Sequence, residues 1–156
     1  MYKIDGVQVN DLAREFGSPL FVASATTIIR NCRAFAAAFS AAYPNVVVAY
    51  SYKVNSVPAL LGIIHGEGLR AEAASGFEYA LARRMGVPGS SIVLNGPYKT
   101  KEELKEALKE GAIINADHSD ELDILEEIAR EQGGPVDIGI RVNMETGIDQ
   151  LPDRFG

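Results

Sequence analysis

Ser91-Ile-Val-Leu-Asn-Gly-Pro-Tyr-Lys-Thr-Lys-Glu-Glu-Leu-Lys-Glu-Ala-Leu-Lys-Glu-Gly-Ala-Ile-Ile-Asn-Ala116 holds one full structural repeat of the chain. Its apolar start, Ser91–Asn95, is strand-length and bounded by Gly96-Pro97, a pair that breaks regular structure. Thr100-Lys-Glu-Glu103 follows, a capping box that opens a helix over Thr100–Lys109, with Leu104 and Leu108 facing one way among Lys and Glu. Gly111 stands where that helix ends, and Ala112–Ala116 is a second strand-length run. A strand, a helix and a strand in about 25 residues is the unit of a parallel sheet.

The same unit recurs in both directions. The apolar runs Val46–Ser51, Leu69–Ala73, Ser91–Asn95, Ala112–Ala116 and Val136–Asn143 start 23, 22, 21 and 24 residues apart. Between them the spacing predicts helices over Val57–Gly66, Gly76–Met85 and Ser119–Gln132, with Ser75-Gly-Phe-Glu78 as another cap and Gly68, Gly86 and Gly133 at the stops. A doubly wound sheet and a (β/α)8 barrel both satisfy this alternation. The short period favours the barrel, as does the absence of G-x-G-x-x-G after the first strand. Five strands of the eight are counted, so the expectation is α/β, a partial TIM barrel over 45–156, preceded by a helix, strand and helix over 1–44. In that leading segment Val9–Phe16 reads as a short helix and Pro19–Ala23 as an extra strand. Thr26–Ala42 reads as a long helix whose stripe Ile28, Ile29, Cys32, Phe35, Ala36 and Phe39 is expected in the core.

Composition narrows the function. The 156 residues are 47% hydrophobic and 23% charged, which excludes bulk disorder. A net charge of −6 without a basic run argues against nucleic acid as a partner. The lone Cys32 forms no internal disulfide and fits a reducing compartment. The first ten residues lack the pattern of a secretory leader, and no run approaches the roughly 18–20 apolar residues of a membrane span, so a cytoplasmic protein is expected. No Cys/His spacing supports a metal site.

One lysine stands where barrel chemistry is done. Along Val46–Lys53 the alternation places Val47, Ala49, Ser51 and Lys53 on one face, small below and long at the C-terminal rim. A lysine partly desolvated there favours the neutral, nucleophilic amine that attacks an aldehyde. A solvated lysine at a strand–loop junction is the plainer alternative on position alone.

Tyr50-Ser-Tyr-Lys-Val-Asn55 with Ser56-Val-Pro-Ala-Leu60 resembles the lysine motif of the fold-type III pyridoxal phosphate-dependent decarboxylases. That group includes enzymes for ornithine, arginine, carboxynorspermidine and, most similar here, diaminopimelate. Phe16-Gly-Ser-Pro-Leu-Phe-Val22, Ala73-Ala-Ser-Gly-Phe-Glu78, Asn95-Gly-Pro-Tyr-Lys-Thr100, Asn115-Ala-Asp117, Arg141-Val-Asn143 and Arg154-Phe-Gly156 resemble further family segments, in the family's order. The resemblance implies that Lys53 carries pyridoxal 5′-phosphate through its amine and is catalytic. It also implies that Glu72, Ser75, Arg141 and Asn143 lie on the cofactor. The substrate would be a basic or diamino amino acid, and the full-length protein a homodimer.

The chain would then be an N-terminal portion, incomplete for activity alone. The phosphate loop and the C-terminal β domain of relatives are expected past Gly156; the resemblance implies that the leading strand and long helix join that β domain, so the Leu20–Ala23 strand is expected to lack its main neighbours here. Glu72 departs from the family's usual Asp by one methylene. Ser75 and Glu78 have the competing role of a helix cap, and Arg141 that of a surface ion pair. Lys99 is expected in solvent, as are His65 and His118 unless they are structural, while Cys32 is expected as a small buried apolar side chain. Two rival readings stand beside the decarboxylase. One is a cofactor carrier or alanine racemase-like barrel; the segment ahead of the barrel speaks against the carrier. The other is a non-catalytic homologue that regulates a decarboxylase, against which Lys53 speaks.

Overall fold

The computed structural model describes residues 2–142. Two compact units result, one holding the chain up to Val48 together with Val57–Leu69, the other Ala49–Ser56 and the chain from Arg70 onward.

In the first unit, strands β1 (Lys3–Ile4) and β2 (Val7–Gln8) form an antiparallel hairpin that the sequence reading missed. Its signal was present: Asp5-Gly6 takes φ of +46° and +85°, the pair of positive values a tight hairpin turn requires. Helix α1 (Val9–Phe16) runs as expected. Helix α2 (Ala25–Ala42) is capped by Ser24, whose Oγ accepts from Thr27 N at 3.0 Å and donates to Asp5 Oδ1 at 2.7 Å. Thr26 N donates to the other Asp5 oxygen, and these bonds, that from Ser24 foremost, hold the Asp5 carboxyl below the usual carboxylate range.

Two expectations fail in this unit. Pro19–Ala23 is not a strand: Leu20, Phe21 and Val22 are exposed, and among the described residues no neighbouring chain offers its hydrogen-bonding edge. An isolated extended segment has no ladder to stabilise it. The stripe of α2 is likewise not a core, since Ile28, Ile29, Cys32 and Ala36 are only half-buried. Phe35 and Phe39 are half-exposed, their ring centroids 4.9 Å apart. The half-buried Cys32 thiol is pushed up by desolvation and by the Glu67 charge. Helix α3 (Pro58–Gly66) packs on α2, and Arg33 of α2 forks onto Glu67 at 2.6 and 3.0 Å. His65, expected to be structural or exposed, lies partly buried with Nδ1 2.9 Å from Leu69 O.

The second unit is the parallel sheet. Strands β3 (Ala49–Ser51), β4 (Arg70–Ala73), β5 (Ile92–Leu94), β6 (Ile113–Ala116) and β7 (Gly139–Ile140) lie side by side in chain order, every pair parallel. Helices α4 (Gly76–Arg84), α5 (Lys101–Lys109) and α6 (Ser119–Gln132) connect them close to the expected bounds. The strands are shorter than their apolar runs, because ladder pairing stops where the neighbour stops.

Alternation sorts the faces. Ala71, Ala73, Ile92, Leu94, Ile114 and Ala116 are buried, as are Tyr79, Ala82, Leu104, Ala107, Leu125 and Ile128 on the helices. Sealing a side chain such as Leu104 stabilises by about 1.5–3 kcal/mol. Residues of the opposite face, among them Ser51, Glu72, Val93 and Asn115, keep partial exposure. Such two-sidedness is unlike a doubly wound sheet, which helices cover on both faces. Among the described residues no helix is long and apolar enough to cross a membrane.

Candidate functional site

Register brings the polar ends of the strands together. Ser51 pairs with Glu72, Glu72 with Val93, and Asn115 with Gly139. Backbone bonds from Asn95 N to Ala73 O at 2.8 Å and from Arg141 N to Ala116 O at 2.9 Å carry the alignment one step further. Because side chains alternate, Ser51, Glu72, Asn95, Asn115, Gly139 and Arg141 belong to one face, at its C-terminal edge. Catalytic groups of α/β barrels sit on this edge.

Side-chain bonds run along that row. Asn115 Nδ2 donates to Asn95 Oδ1 at 3.3 Å, and Asn95 Nδ2 donates to Glu72 Oε1 at 3.3 Å. The carboxylate can only accept, so it sets the direction of both amides. Gly139 completes the row by what it lacks, since a Cβ there would collide with Asn115 Oδ1. Among the described residues Ser51 Oγ, buried beside Glu72, has no hydrogen-bond partner. Asn95 and Asn115 open two of the family-like segments but were not expected as site residues. Their signal was the period itself, a polar residue at the end of successive strand runs, at positions 51, 72, 95 and 115.

Lys53 lies just beyond β3. The strand's last ladder bond is Tyr52 N to Glu72 O at 3.0 Å, and Val54 N turns back onto Ser51 O at 3.2 Å. Tyr52 is buried, which pushes its phenol up to about 12, but Lys53 is exposed. The expected partial desolvation is therefore not found. The physical reason is position: among the described residues β3 is the edge strand of this sheet, so the turn after it has a neighbouring strand on one side only.

Ser75 caps α4, its Oγ accepting from Glu78 N at 3.3 Å, while Glu78 Oε2 accepts from Ala74 N at 2.7 Å. Both residues thus serve the helix start directly behind the rim. The rim is tight there: a Cβ on Gly96 would collide with Ala74 O, and one on Gly76 with the Glu103 carboxylate. Arg141 Nη1 meets Asp117 Oδ1 at 3.1 Å; the aspartate is buried, the arginine side chain 32% exposed. Asn143 lies outside the described residues. His118, expected exposed unless structural, is half-exposed.

Lys99 overturns its expectation. Far from being solvated, its side chain is fully buried, with Nζ 2.5 Å from Gly96 O and 2.9 Å from Glu121 Oε2. The Gly96-Pro97 turn folds the chain back over the ammonium, and a lysine is tolerated inside a protein when it is paired.

The family model described as "Pyridoxal-dependent decarboxylase, pyridoxal binding domain" matches residues 25–154. The chain belongs to that family. Diaminopimelate decarboxylase of Aquifex aeolicus is 38% identical over 141 residues, covering 90% of this chain and 33% of the relative. That of Archaeoglobus fulgidus is 34% identical over 140 residues, covering 90% and 32%. The solved diaminopimelate decarboxylase of M. jannaschii, in co-complex with L-lysine, superposes with a TM-score of 0.80 at 33% identity, covering 88% of this chain and 33% of that one. The chain thus spans about a third of the length of the curated relatives it matches. The expected fold, the barrel of a pyridoxal-binding domain, is borne out; the five strands leave the barrel open.

The residues fit the group that gives the family its name. An aldehyde needs a primary amine, which Lys53 supplies beside the row. A polar ring system needs hydrogen-bonding atoms not already satisfied, and Ser51 Oγ is one. The notch left by Gly139 and the directed amides of Asn95 and Asn115 shape the surface between them.

Proposed function

We propose that this chain is the cofactor-bearing part of a pyridoxal phosphate-dependent amino-acid decarboxylase acting on a diamino acid, with diaminopimelate as the foremost substrate. In this reading residues 1–44 precede the barrel part, 45–156, and the working protein is a cytoplasmic homodimer. Lys53 is the covalent anchor and catalytic residue; Glu72, Ser75, Arg141 and Asn143 contact the cofactor. The observation that carries the reading is the polar row at the C-terminal strand edge, Ser51, Glu72, Asn95 and Asn115, with Lys53 directly after it.

When bound, pyridoxal phosphate supplies the electron sink that lets an α-carboxylate leave as CO2. The chain supplies orientation and charge. Asn95 steadies the Glu72 carboxylate at a fixed point of the face, and Arg141 presents a guanidinium that Asp117 holds from one side. Exposure of Lys53 leaves its Nζ accessible to an incoming aldehyde, and Lys53 Nζ, or an acid from elsewhere in the protein, would return a proton to the substrate Cα.

The test is chemical trapping. The protein is incubated with pyridoxal phosphate, reduced with borohydride and mapped by mass spectrometry. Label on Lys53, lost in Lys53→Ala, is the expected result; label confined to other lysines rejects the assignment. Release of CO2 from diaminopimelate, ornithine or arginine by the unreduced, cofactor-loaded full-length protein separates the decarboxylase from a cofactor carrier, which would trap the cofactor on reduction and release none.

A further inference from the structure

The buried Lys99–Glu121 pair at the rim is not used by the reading above. Lys99, in the loop after β5, reaches Glu121 Oε2 in the first turn of α6 at 2.9 Å, both side chains 5% exposed or less. The same Glu121 oxygen accepts the main-chain N–H of Asp117 at 2.9 Å. Asp117 in turn holds Arg141 through Oδ1 at 3.1 Å. Its other oxygen is buried and lies 3.2 Å from His118 Nε2 without hydrogen-bond geometry. Glu121 Oε1 is buried and has no hydrogen-bond partner among the described residues. Two opposite charges taken out of water are costly to keep, and a pair of apolar residues of similar volume often serves stability as well. A role other than stability is therefore the better account of this one.

We infer that Glu121, held in place by Lys99, is a positioning residue for Arg141. The ammonium holds the Glu121 carboxylate through Oε2 and is itself anchored on Gly96 O. That carboxylate straps down the main chain at Asp117, exactly one residue past the end of β6. With its backbone fixed, the Asp117 carboxylate aims the guanidinium along the face that carries Asn115 and Gly139. Arg141 is then pre-set toward an oxyanion of the bound ligand, and its order does not depend on the ligand being present. The assignment of that ligand rests on the proposed function; the aiming of Arg141 does not.

The test compares two charge-neutral variants of the full chain. Lys99→Met/Glu121→Gln keeps an oxygen that can accept the Asp117 N–H. Lys99→Met/Glu121→Leu removes it at similar volume. The side-chain Nε–H resonance of Arg141, assigned with Arg141→Lys, is followed by NMR. In the Gln variant, which loses the ammonium but keeps the acceptor, its solvent exchange should rise only slightly; in the Leu variant it should speed up by about tenfold, in line with coupling energies between residues of one network. Apparent affinity for pyridoxal phosphate, read by trapping at Lys53, should fall about tenfold in the Leu variant, and adding Arg141→Met should cost little more. Equal exchange in both variants, or losses that simply add, overturns the inference. If the parent traps no cofactor at Lys53, the functional reading fails, and the exchange comparison still decides whether Glu121 positions Arg141.

Discussion

Gly139→Ala tests the polar row most directly. The backbone of Gly139 does not take a positive φ, so alanine fits it without strain. By itself the change should stabilise by about 0.4–1 kcal/mol, because the unfolded chain loses freedom. The side chain meets an obstacle, however. A Cβ would overlap Asn115 Oδ1 and stand 3.2 Å from Asn115 Cγ and 3.5 Å from Ile114 O. The carbonyl is at ordinary contact distance, so Asn115 must yield. Rotating it off its preferred geometry costs about 0.5–1.5 kcal/mol. Losing its bond to Asn95 costs about 0.5–1.5 kcal/mol more.

The costs sum to about 1–3 kcal/mol and the gain offsets about 0.4–1, so the net expectation is a loss centred on about 1.3 kcal/mol. With a urea slope of about 2 kcal/mol/M, the unfolding midpoint should drop by about 0.6 M. The control is the same change in an Asn115→Ala background. There the obstacle is gone and alanine at 139 should be neutral or stabilising. A Gly139→Ala protein as stable as the parent, or a loss that persists undiminished in the Asn115→Ala background, refutes the packing argument.

Two further expectations concern the helices. Thr100 and Glu103 form a complete reciprocal cap on α5, with Glu103 N to Thr100 Oγ1 at 3.2 Å and Thr100 N to Glu103 Oε2 at 2.8 Å. Thr100→Ala should therefore cost about 0.5–2 kcal/mol in chemical denaturation while Thr100→Ser costs much less. Glu131 accepts from Lys101 and Lys105, which lowers its carboxyl to about 2 from an ordinary 4.5. A depressed carboxylate contributes stability that is complete above about pH 4.5 and is lost as pH falls through about 2. NMR titration of the Glu131 carboxyl should return a midpoint near that lower value, and Lys101→Met/Lys105→Met should move it back toward the ordinary range.

The alternation of strand and helix was legible in the chain because period and punctuation are local. Leu104 and Leu108 repeat at helical spacing, Thr100 and Glu103 form a cap, and Gly133 ends α6 with φ +72°. Lys53 was legible as a motif and as the residue after a strand for the same reason. Its solvent exposure was not, because that depends on which strand occupies the sheet edge.

The row from Glu72 through Asn95 to Asn115 shows the division most clearly. Its members recur about every 20 residues, so their identity is written in the sequence. That they form a hydrogen-bonded line depends on parallel register, which sets residues far apart in the chain side by side. Lys99 is the sharper case: read locally, a lysine after Gly-Pro belongs in water, and only the arrival of Glu121 from the next repeat gives its charge a partner inside the protein. Local propensity settles which segments become strands and helices. Where a charge ends up, and what it aims, is settled by long-range contacts, because burial and pairing are properties of the assembled neighbours.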